Sequence, residues 1–190
     1  MKTLILVLIV SLSAMCSSTF SQQTTSSENY AKTLNLGVGI GYYSYSENSF
    51  PVIHANYELD AGKNFTLAPF ISYYSFRNGY YWGDKKKNYP YKYYYYHETH
   101  IPIGVKGSYY FDDLLNAGSK WDFYLAGSLG FTIINSRWDN DYYGDQNYYT
   151  RSSHLYLDLH IGTEYHINDK LGIFLDLSSG ISTVGLAIHN

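Results

Sequence analysis

The sequence alternates apolar residues with small or polar ones at a period of two. The pattern opens at residues 34–41, which read LNLGVGIG, and its clearest copy is LYLDLHIG at residues 155–162. Successive side chains of a β-strand point to opposite faces, so this period predicts strands. Each predicted strand has one face of plain hydrocarbon and one face of glycines and ionisable groups. The two faces therefore need two different environments.

Residues 1–21 predict a secretory signal peptide. Lys2 supplies the positive start, the apolar run after it is too short to span a membrane, and residues 19–21 (TFS) place small side chains at both cleavage positions. A short transmembrane anchor is the alternative. We expect residues 22–31 to form a flexible lead-in and residues 32–190 to form one barrel domain.

The composition favours a chain that has little contact with water. Charged residues make up only 15%, aromatic residues make up 19% with 24 tyrosines, and the formal net charge is −3. This charge provides no attraction to nucleic acid. Cys16 is the only cysteine and lies in the predicted signal peptide, so we expect neither disulfides nor cysteine ligands. No apolar run after residue 21 reaches the ~20 residues that a membrane helix needs, so a membrane-spanning form of this chain requires strands.

Eight segments have the strand pattern, and their connections alternate in length. The predicted strands are residues 33–43, 52–60, 65–76, 93–110, 121–134, 153–167, 171–179 and 182–189. Long connections at residues 44–51, 77–92 and 135–152 alternate with short ones, as in bacterial outer-membrane barrels. Pro69 and Pro102 fall inside neighbouring strands, where each forfeits a ladder hydrogen bond, so we expect a bulge or local kink at one or both. The predicted fold class is all-β, an eight-stranded antiparallel up-and-down transmembrane β-barrel.

Three observations favour lipid on the outside of this barrel, although a soluble ligand-binding barrel and a sandwich share the alternation. Glycines occupy the polar face, as expected in a lumen barely wide enough for side chains. The apolar face carries more bulky groups than so small a lumen can hold. Aromatic residues gather near the strand ends, as two interfacial girdles require. The expected girdle residues are Tyr57, Phe65, Tyr109, Trp121 and Tyr165 near the short turns, and Tyr42, Tyr73 and Tyr95 toward the loops.

Four segments resemble the small outer-membrane β-barrel family of Gram-negative bacteria, the group that includes OmpX- and OmpA-like eight-stranded barrels. They are residues 36–42 (LGVGIGY), 101–106 (IPIGVK), 121–127 (WDFYLAG) and 185–188 (GLAI). The resemblance covers about residues 32–190 and implies the fold, residence in the outer membrane, and contact with its lipid and lipopolysaccharide. It leaves function open, because such barrels include adhesion-related, structural and unassigned proteins. Residues 188–190 (IHN) depart from the family, which ends in an aromatic residue that resembles part of an assembly signal.

Ionisable side chains on the polar face predict a hydrogen-bonded network inside the barrel. The predicted members are His54, Glu58, Lys106, Asp158, His160, Glu164 and Asp176, with His100 and His166 on the same face. A buried charge must be paired or hydrogen-bonded, so we expect the network to plug and rigidify the lumen. A narrow ion or proton path is the alternative. The histidines are scattered along strands with no metal-ligand spacing, so we expect no metal site and no cofactor.

The second long connection predicts a surface contact site. From residue 77 to residue 92 it carries five basic residues and one acidic residue, with many tyrosines. The candidate contact residues are Tyr80, Tyr81, Trp82, Lys85, Lys86 and Lys87. Such a segment can bind lipopolysaccharide phosphates or an acidic extracellular partner, while a solvated hairpin tip is the plainer interpretation.

The remaining motifs give weak support for chemistry. Residues 139–145 (DNDYYGD) begin like a calcium loop, but Tyr143 and Thr150 stand where oxygen ligands belong. His154 follows two serines, yet no triad order or base–nucleophile pair appears, so we expect no enzyme. The sequence predicts a monomeric outer-membrane protein with a structural or surface-interaction role through its Tyr- and Lys-rich loops. The alternatives are a narrow channel, an outer-membrane lipid enzyme and a soluble secreted barrel.

Overall fold

The computed structural model describes residues 32–41, 50–86, 89–115, 118–138 and 154–190. The elements in chain order are β1 (Thr33–Gly41), β2 (Phe50–Gly62), β3 (Phe65–Asp84), β4 (Tyr89–Tyr110), α1 (Asp112–Leu115), β5 (Trp121–Trp138), β6 (His154–Asn168), β7 (Leu171–Ser178) and β8 (Ile181–His189). Each strand corresponds to one predicted strand. The predicted signal peptide and lead-in lie outside the described residues. Within those ranges, no helix is long and apolar enough to cross a membrane.

The strands form a closed antiparallel barrel in which each strand pairs with its neighbours in sequence. β1 closes the barrel against β8, with Thr33 opposite His189 and Gly41 opposite Ile181. We call the end with the β2–β3, β4–β5 and β6–β7 connections the short-turn end, and the opposite end the loop end. Antiparallel neighbours need only tight turns between them, which is why every connection can stay at one end or the other. This arrangement confirms the predicted fold class.

The second long connection is mostly β-structure, so its prediction as a loop is wrong. β3 continues to Asp84 and β4 begins at Tyr89, and their ladder runs through residues that the sequence assigned to a loop. We call residues 77–86 and 89–97 the ribbon. Aromatic and β-forming side chains on both strands support the pairing there, because cross-strand aromatic pairs stabilise a two-stranded sheet. The strands therefore extend beyond the point where the hydrophobic alternation of the barrel ends.

Every strand turns its hydrocarbon face outward. Leu157 and Leu159 of β6 are 65% and 73% exposed, whereas Asp158 between them is 4% exposed and points into the lumen. Between the aromatic residues at the two ends of the barrel, outward positions of the described strands carry no Asp, Glu, Lys or Arg. So continuous an apolar surface is unfavourable in water and favourable in lipid. The predicted orientation of the two faces is confirmed, and the soluble ligand-binding barrel, which needs the reverse, is not supported.

Aromatic residues border this apolar surface. At the short-turn end Phe65 pairs with Tyr109, and Trp121 pairs with Tyr165 with ring centroids 4.8 Å apart. Toward the loop end, Tyr73 is exposed on the outer face. Eight residue steps separate Phe65 from Tyr73 along β3. At about 3.4 Å per step and a tilt of about 40°, they span roughly 20 Å, close to the ~25 Å apolar band of outer-membrane barrels.

Pro69 and Pro102 interrupt the ladder without shifting its register. Pro69 of β3 faces outward opposite Val105, and Pro102 of β4 faces inward opposite Thr132. On the other side of each proline, two consecutive pairs are missing from the β2–β3 and β3–β4 ladders, and the register is the same before and after the gap. The bulge expected at the prolines is therefore absent, because losing an N–H does not require an extra residue. Register shifts occur instead near the ends of β2, β3 and β6.

Candidate functional site

The middle of the lumen is organised around Asp176 of β7. Its carboxylate accepts hydrogen bonds from the Lys106 ammonium and, at 2.8 Å, from the Tyr124 hydroxyl. One carboxylate oxygen also lies 2.7 Å from Nδ1 of His160, whose Nε2 is 2.8 Å from the Ser128 hydroxyl. Lys106 and Asp176 are both buried. A buried ion pair with this many additional hydrogen bonds meets the condition for placing charge away from water.

Asp158 of β6 holds the β7–β8 turn at the loop end of the lumen. Its carboxylate accepts hydrogen bonds from the hydroxyls of Ser178 and Ser179 at 2.8 and 2.6 Å. It also accepts bonds from the backbone N–H groups of Gly180 and Ile181 at 2.9 and 3.2 Å. These donors use both oxygens of the Asp158 side chain. The side chain therefore ties β6 to a turn two strands away.

Glu58 of β2 lies nearer the short-turn end. Its carboxylate accepts hydrogen bonds at 2.8, 2.7 and 2.7 Å from three buried side chains, Asn35, Thr66 and Tyr110. His54, on the same strand, makes a 2.8 Å contact through Nδ1 with the Ser72 hydroxyl. These bonds join β1, β2, β3 and β4 across the lumen.

At the short-turn mouth of the lumen, the structure groups side chains that the sequence does not link. Nε2 of His189 lies 2.7 Å from Oε1 of Glu164, and Nε2 of His166 lies 2.7 Å from Oδ2 of Asp122. Sequence reasoning missed His189 and Asp122, because the β5–β6 register sets Asp122 opposite Glu164 and the curvature of the sheet brings His189 of β8 to Glu164 across β7. The sequence did contain one indication. His189 lies two residues after Ala187, which is buried on the inner face of β8, so a period of two predicts that His189 also points inward.

Large side chains fill the lumen toward the loop end. The buried cluster consists of Phe50, Val52, Phe70, Tyr74, Tyr156 and Ile181. A cavity of about 10 Å³ lies between this cluster, His160 and Asp176. That volume accommodates about one water molecule.

The predicted contact residues lie at the tip and on both faces of the ribbon. Lys85 and Lys86 are exposed in the turn after β3, and Tyr81 is exposed on the outer face. Tyr80 and Trp82 are half-buried on the inner face.

Other residues that the sequence singled out fall outside the described ranges. They are Lys87, Tyr42 and residues 139–153, which include the calcium-like segment and the serines before His154.

Buried rings support the inner face of the ribbon. The Trp82 ring lies 5.8 Å from Tyr94 in an edge-on arrangement, and Tyr80 lies 6.3 Å from Trp138. Tyr96 packs on the same Trp138 with centroids 4.9 Å apart, which joins the ribbon to β5. Offset and edge-on aromatic pairs of this kind stabilise their partners beyond simple area burial. The ribbon is therefore held to the barrel by a packed aromatic cluster.

Comparison with known proteins finds solved structures of similar architecture. No protein-family model and no curated protein matches the chain. Among solved structures, a de novo designed transmembrane β-barrel is similar at 14% identity and a TM-score of 0.44, covering 85% of this chain and 98% of its own. Neisserial surface protein A (NspA) is similar at 14% identity and a TM-score of 0.46, covering 83% and 95%. Ail, the attachment invasion locus protein of Yersinia pestis, in complex with the heparin analogue sucrose octasulfate, is similar at 9% identity and a TM-score of 0.44, covering 83% and 98%.

The class of the protein follows from its own geometry. Eight antiparallel strands close into a barrel with an apolar outer surface, aromatic borders and a polar, hydrogen-bonded interior. Closure leaves no sheet edge, so every strand can satisfy its backbone groups within lipid. The chain is a small transmembrane β-barrel of the outer-membrane type, in agreement with the family resemblance of its sequence.

Proposed function

We propose that the protein resides in the outer membrane and uses its barrel as an anchor for the ribbon, whose basic tip binds a polyanion at the cell surface. The phosphate groups of lipopolysaccharide are the partner that the chemistry favours. The observation that carries the proposal is the continuation of β3 and β4 past the membrane border into a basic, tyrosine-rich hairpin.

The length of the ribbon supports contact beyond the lipid surface. β3 has 20 residues and β4 has 22, whereas β7 has 8. The ten steps of β3 from Tyr74 to Asp84 extend about 34 Å along the strand at about 3.4 Å per step. A reach of this length supports contact between the hairpin tip and the sugars and phosphates of lipopolysaccharide.

The chemistry of the ribbon suits an anionic partner. Lys85 and Lys86 are exposed at its tip. On its surfaces, Arg77 stacks 3.9 Å above the Tyr95 ring, and the Lys92 ammonium lies 4.9 Å from the Tyr94 ring centre. Ring contacts of this kind hold cationic groups in place, and lysine is an effective point charge for phosphate. Tyrosine adds contact area at low entropic cost.

Charge removal at the tip tests the proposal. The triple variant K85Q/K86Q/K87Q is refolded in neutral detergent, and binding of purified lipopolysaccharide is measured by intrinsic tryptophan fluorescence at several salt concentrations. We expect weaker binding and a shallower dependence on salt, because three phosphate-directed charges are gone.

The chain offers a matched control at the opposite end. Lys63, Lys120 and Lys170 are exposed at the short-turn end, so K63Q/K120Q/K170Q changes the net charge equally. This variant should bind lipopolysaccharide as the wild type does. Equal binding by the wild type and both triple variants would refute the proposed role of the tip. If both triple variants bound lipopolysaccharide more weakly, the effect would come from net charge and not from the position of the lysines.

In this proposed role the protein is not an enzyme. The lumen network around Asp176 acts as a plug that makes the anchor rigid. Buried polar networks whose members are satisfied stiffen a core.

A further inference from the structure

Four titratable side chains converge at the short-turn mouth of the lumen, at the opposite end of the molecule from the ribbon. They are Asp122 of β5, Glu164 and His166 of β6, and His189 of β8. One ligand-type atom from each of Glu164, His166 and His189 lies within 4.8 Å of the other two. Two imidazoles and a carboxylate are a donor set that zinc enzymes and zinc sites use.

The distances within this trio suit a small ion. Oε1 of Glu164 lies 2.7 Å from Nε2 of His189 and 3.9 Å from Nδ1 of His166. Ligands at about 2.0–2.1 Å from a tetrahedral ion are separated by roughly 3.4 Å from one another. The two Glu164 distances lie on either side of that value, and the ligand nitrogens of the two imidazoles lie within 4.8 Å of each other. Side-chain movements would bring the three atoms to equal spacing.

Both imidazoles are oriented by a second partner on their other nitrogen. Nε2 of His166 lies 2.7 Å from Oδ2 of Asp122, which directs Nδ1 toward Glu164. Nδ1 of His189 lies 2.9 Å from the Thr33 hydroxyl, which directs Nε2 toward the same carboxylate. A carboxylate or hydroxyl behind a histidine is the usual outer shell of a metal-ligating imidazole.

The backbone leaves room for the Glu164 carboxylate. Gly172 of β7 lies inward next to it, and a Cβ at that position would overlap Oε1 of Glu164 and come within 2.8 Å of its carboxyl carbon. The trio is also reachable from the aqueous side, because the side chains of His166 and His189 are 25% and 14% exposed.

Charge balance points in the same direction. The carboxylates of Asp122 and Glu164 contribute two negative charges when both imidazoles are neutral. A divalent cation neutralises that total. Nitrogen and oxygen donors without thiolate suit zinc or a similar transition-metal ion, whereas magnesium and calcium prefer oxygen alone.

We propose that Glu164, His166 and His189 bind one divalent transition-metal ion of the zinc type at the short-turn mouth of the lumen. Asp122 and Thr33 act as positioning residues for the two imidazoles. The ion joins β6 to β8 across β7, next to the seam where β8 pairs with β1. A fourth ligand position faces the aqueous side and takes water.

Titration with the metal alone tests this site. The chain is refolded in neutral detergent without a polyhistidine tag, treated with a chelator, and titrated with zinc chloride in a calorimeter. We expect saturation at one ion per chain for the wild type and no specific saturation for H166A/H189A. We expect D122N, which retains all three ligands, to bind about 10- to 100-fold more weakly. G172A, which displaces the Glu164 carboxylate, should also weaken binding.

The control is the variant H97A/H154A, because His97 and His154 are exposed on the loop side of the barrel. It should bind zinc as the wild type does. Mobility on an unheated detergent gel establishes that each variant is folded. The proposal is overturned if folded wild type takes up no zinc at one ion per chain, if H166A/H189A binds equally well, or if magnesium or calcium displaces zinc at equal concentration. The result is independent of lipopolysaccharide binding, which the tip variants measure at the other end.

Discussion

The outward orientation of Leu157 makes lipid, and not water, the favourable surroundings of the barrel. The side chain is 65% exposed and lies opposite Leu129 on the outer face. We expect Leu157→Arg to lower the free energy of unfolding in lipid by about 2–4 kcal/mol, because it places a charge near the middle of the apolar band. Leu157→Ala should cost less. Urea titration in phospholipid vesicles, followed by tryptophan fluorescence, measures both.

Depth along the same face provides the control for that substitution. Ile167 lies on the same strand and also faces outward, past Tyr165 at the short-turn end. Ile167→Arg should cost only about 0–1 kcal/mol, because arginine near the interface reaches water. Equal stability of Leu157→Arg and the wild type would mean that lipid does not touch this face.

At the scale of the strand, close contact between β4 and β5 depends on facing glycines. Gly104 lies opposite Gly130 on the inner face. A Cβ on Gly104 would lie 2.7 Å from the Gly130 Cα and would overlap the Leu129 carbonyl, which belongs to the backbone and cannot move aside. We expect Gly104→Ala to destabilise the barrel by about 1–3 kcal/mol, as overpacking does. The same urea titration measures it.

A glycine on the outer face of β5 separates this packing effect from an effect of strand propensity. A Cβ on Gly127 would meet nothing closer than Leu159 Cδ2 at 3.9 Å, an ordinary contact. Gly127→Ala should therefore be neutral or slightly stabilising. If Gly104→Ala and Gly127→Ala have the same effect, close approach of the β4 and β5 backbones is not the reason for glycine at position 104.

At the scale of the whole molecule, the filled lumen makes an open pore unfavourable. Lys106, Asp176 and Tyr124 cross the middle of the barrel, and a cavity of only about 10 Å³ lies beside them. We expect protein refolded from denaturant to give no stable unitary conductance in planar lipid bilayers. Refolding removes copurified porins. A unitary current that changes when Lys106 or Glu164 is neutralised would instead identify a narrow channel.

Much of the architecture could be predicted from alternation alone. Strands such as β6 could be predicted because adjacent residues point to opposite faces and differ sharply in polarity. Leu157 beside Asp158 is an example. Residues 93–97 of the ribbon were predicted as strand, but the rest was missed because residues 77–92 show no contrast between inside and outside. The interruption of the ladder at Pro69 could be predicted, but the retained register could not, because it depends on the partner strands.

In the candidate sites, too, the position of a side chain could be predicted from its strand, but its contacts could not. The lumen position of Asp158 follows from its strand, but its hydrogen bonds to the β7–β8 turn depend on barrel curvature. The alternation of each strand predicts that Glu164, His166 and His189 point inward, but it does not predict that they converge. Glu164 and His166 lie on β6, and His189 lies on β8. These two strands are separated by β7, so the distance between the side chains depends on the curvature of the sheet.

By itself, the sequence determined the strands, their number, their order and the face that meets lipid, because each depends on a periodicity of two and on short connections between neighbours. Only the tertiary structure decided which inward side chains meet. Closure joins β8 to β1 and brings distant strands together across a lumen a few side chains wide. That geometry places His189 beside Glu164 and Lys106 beside Asp176, contacts between residues that no local pattern could connect.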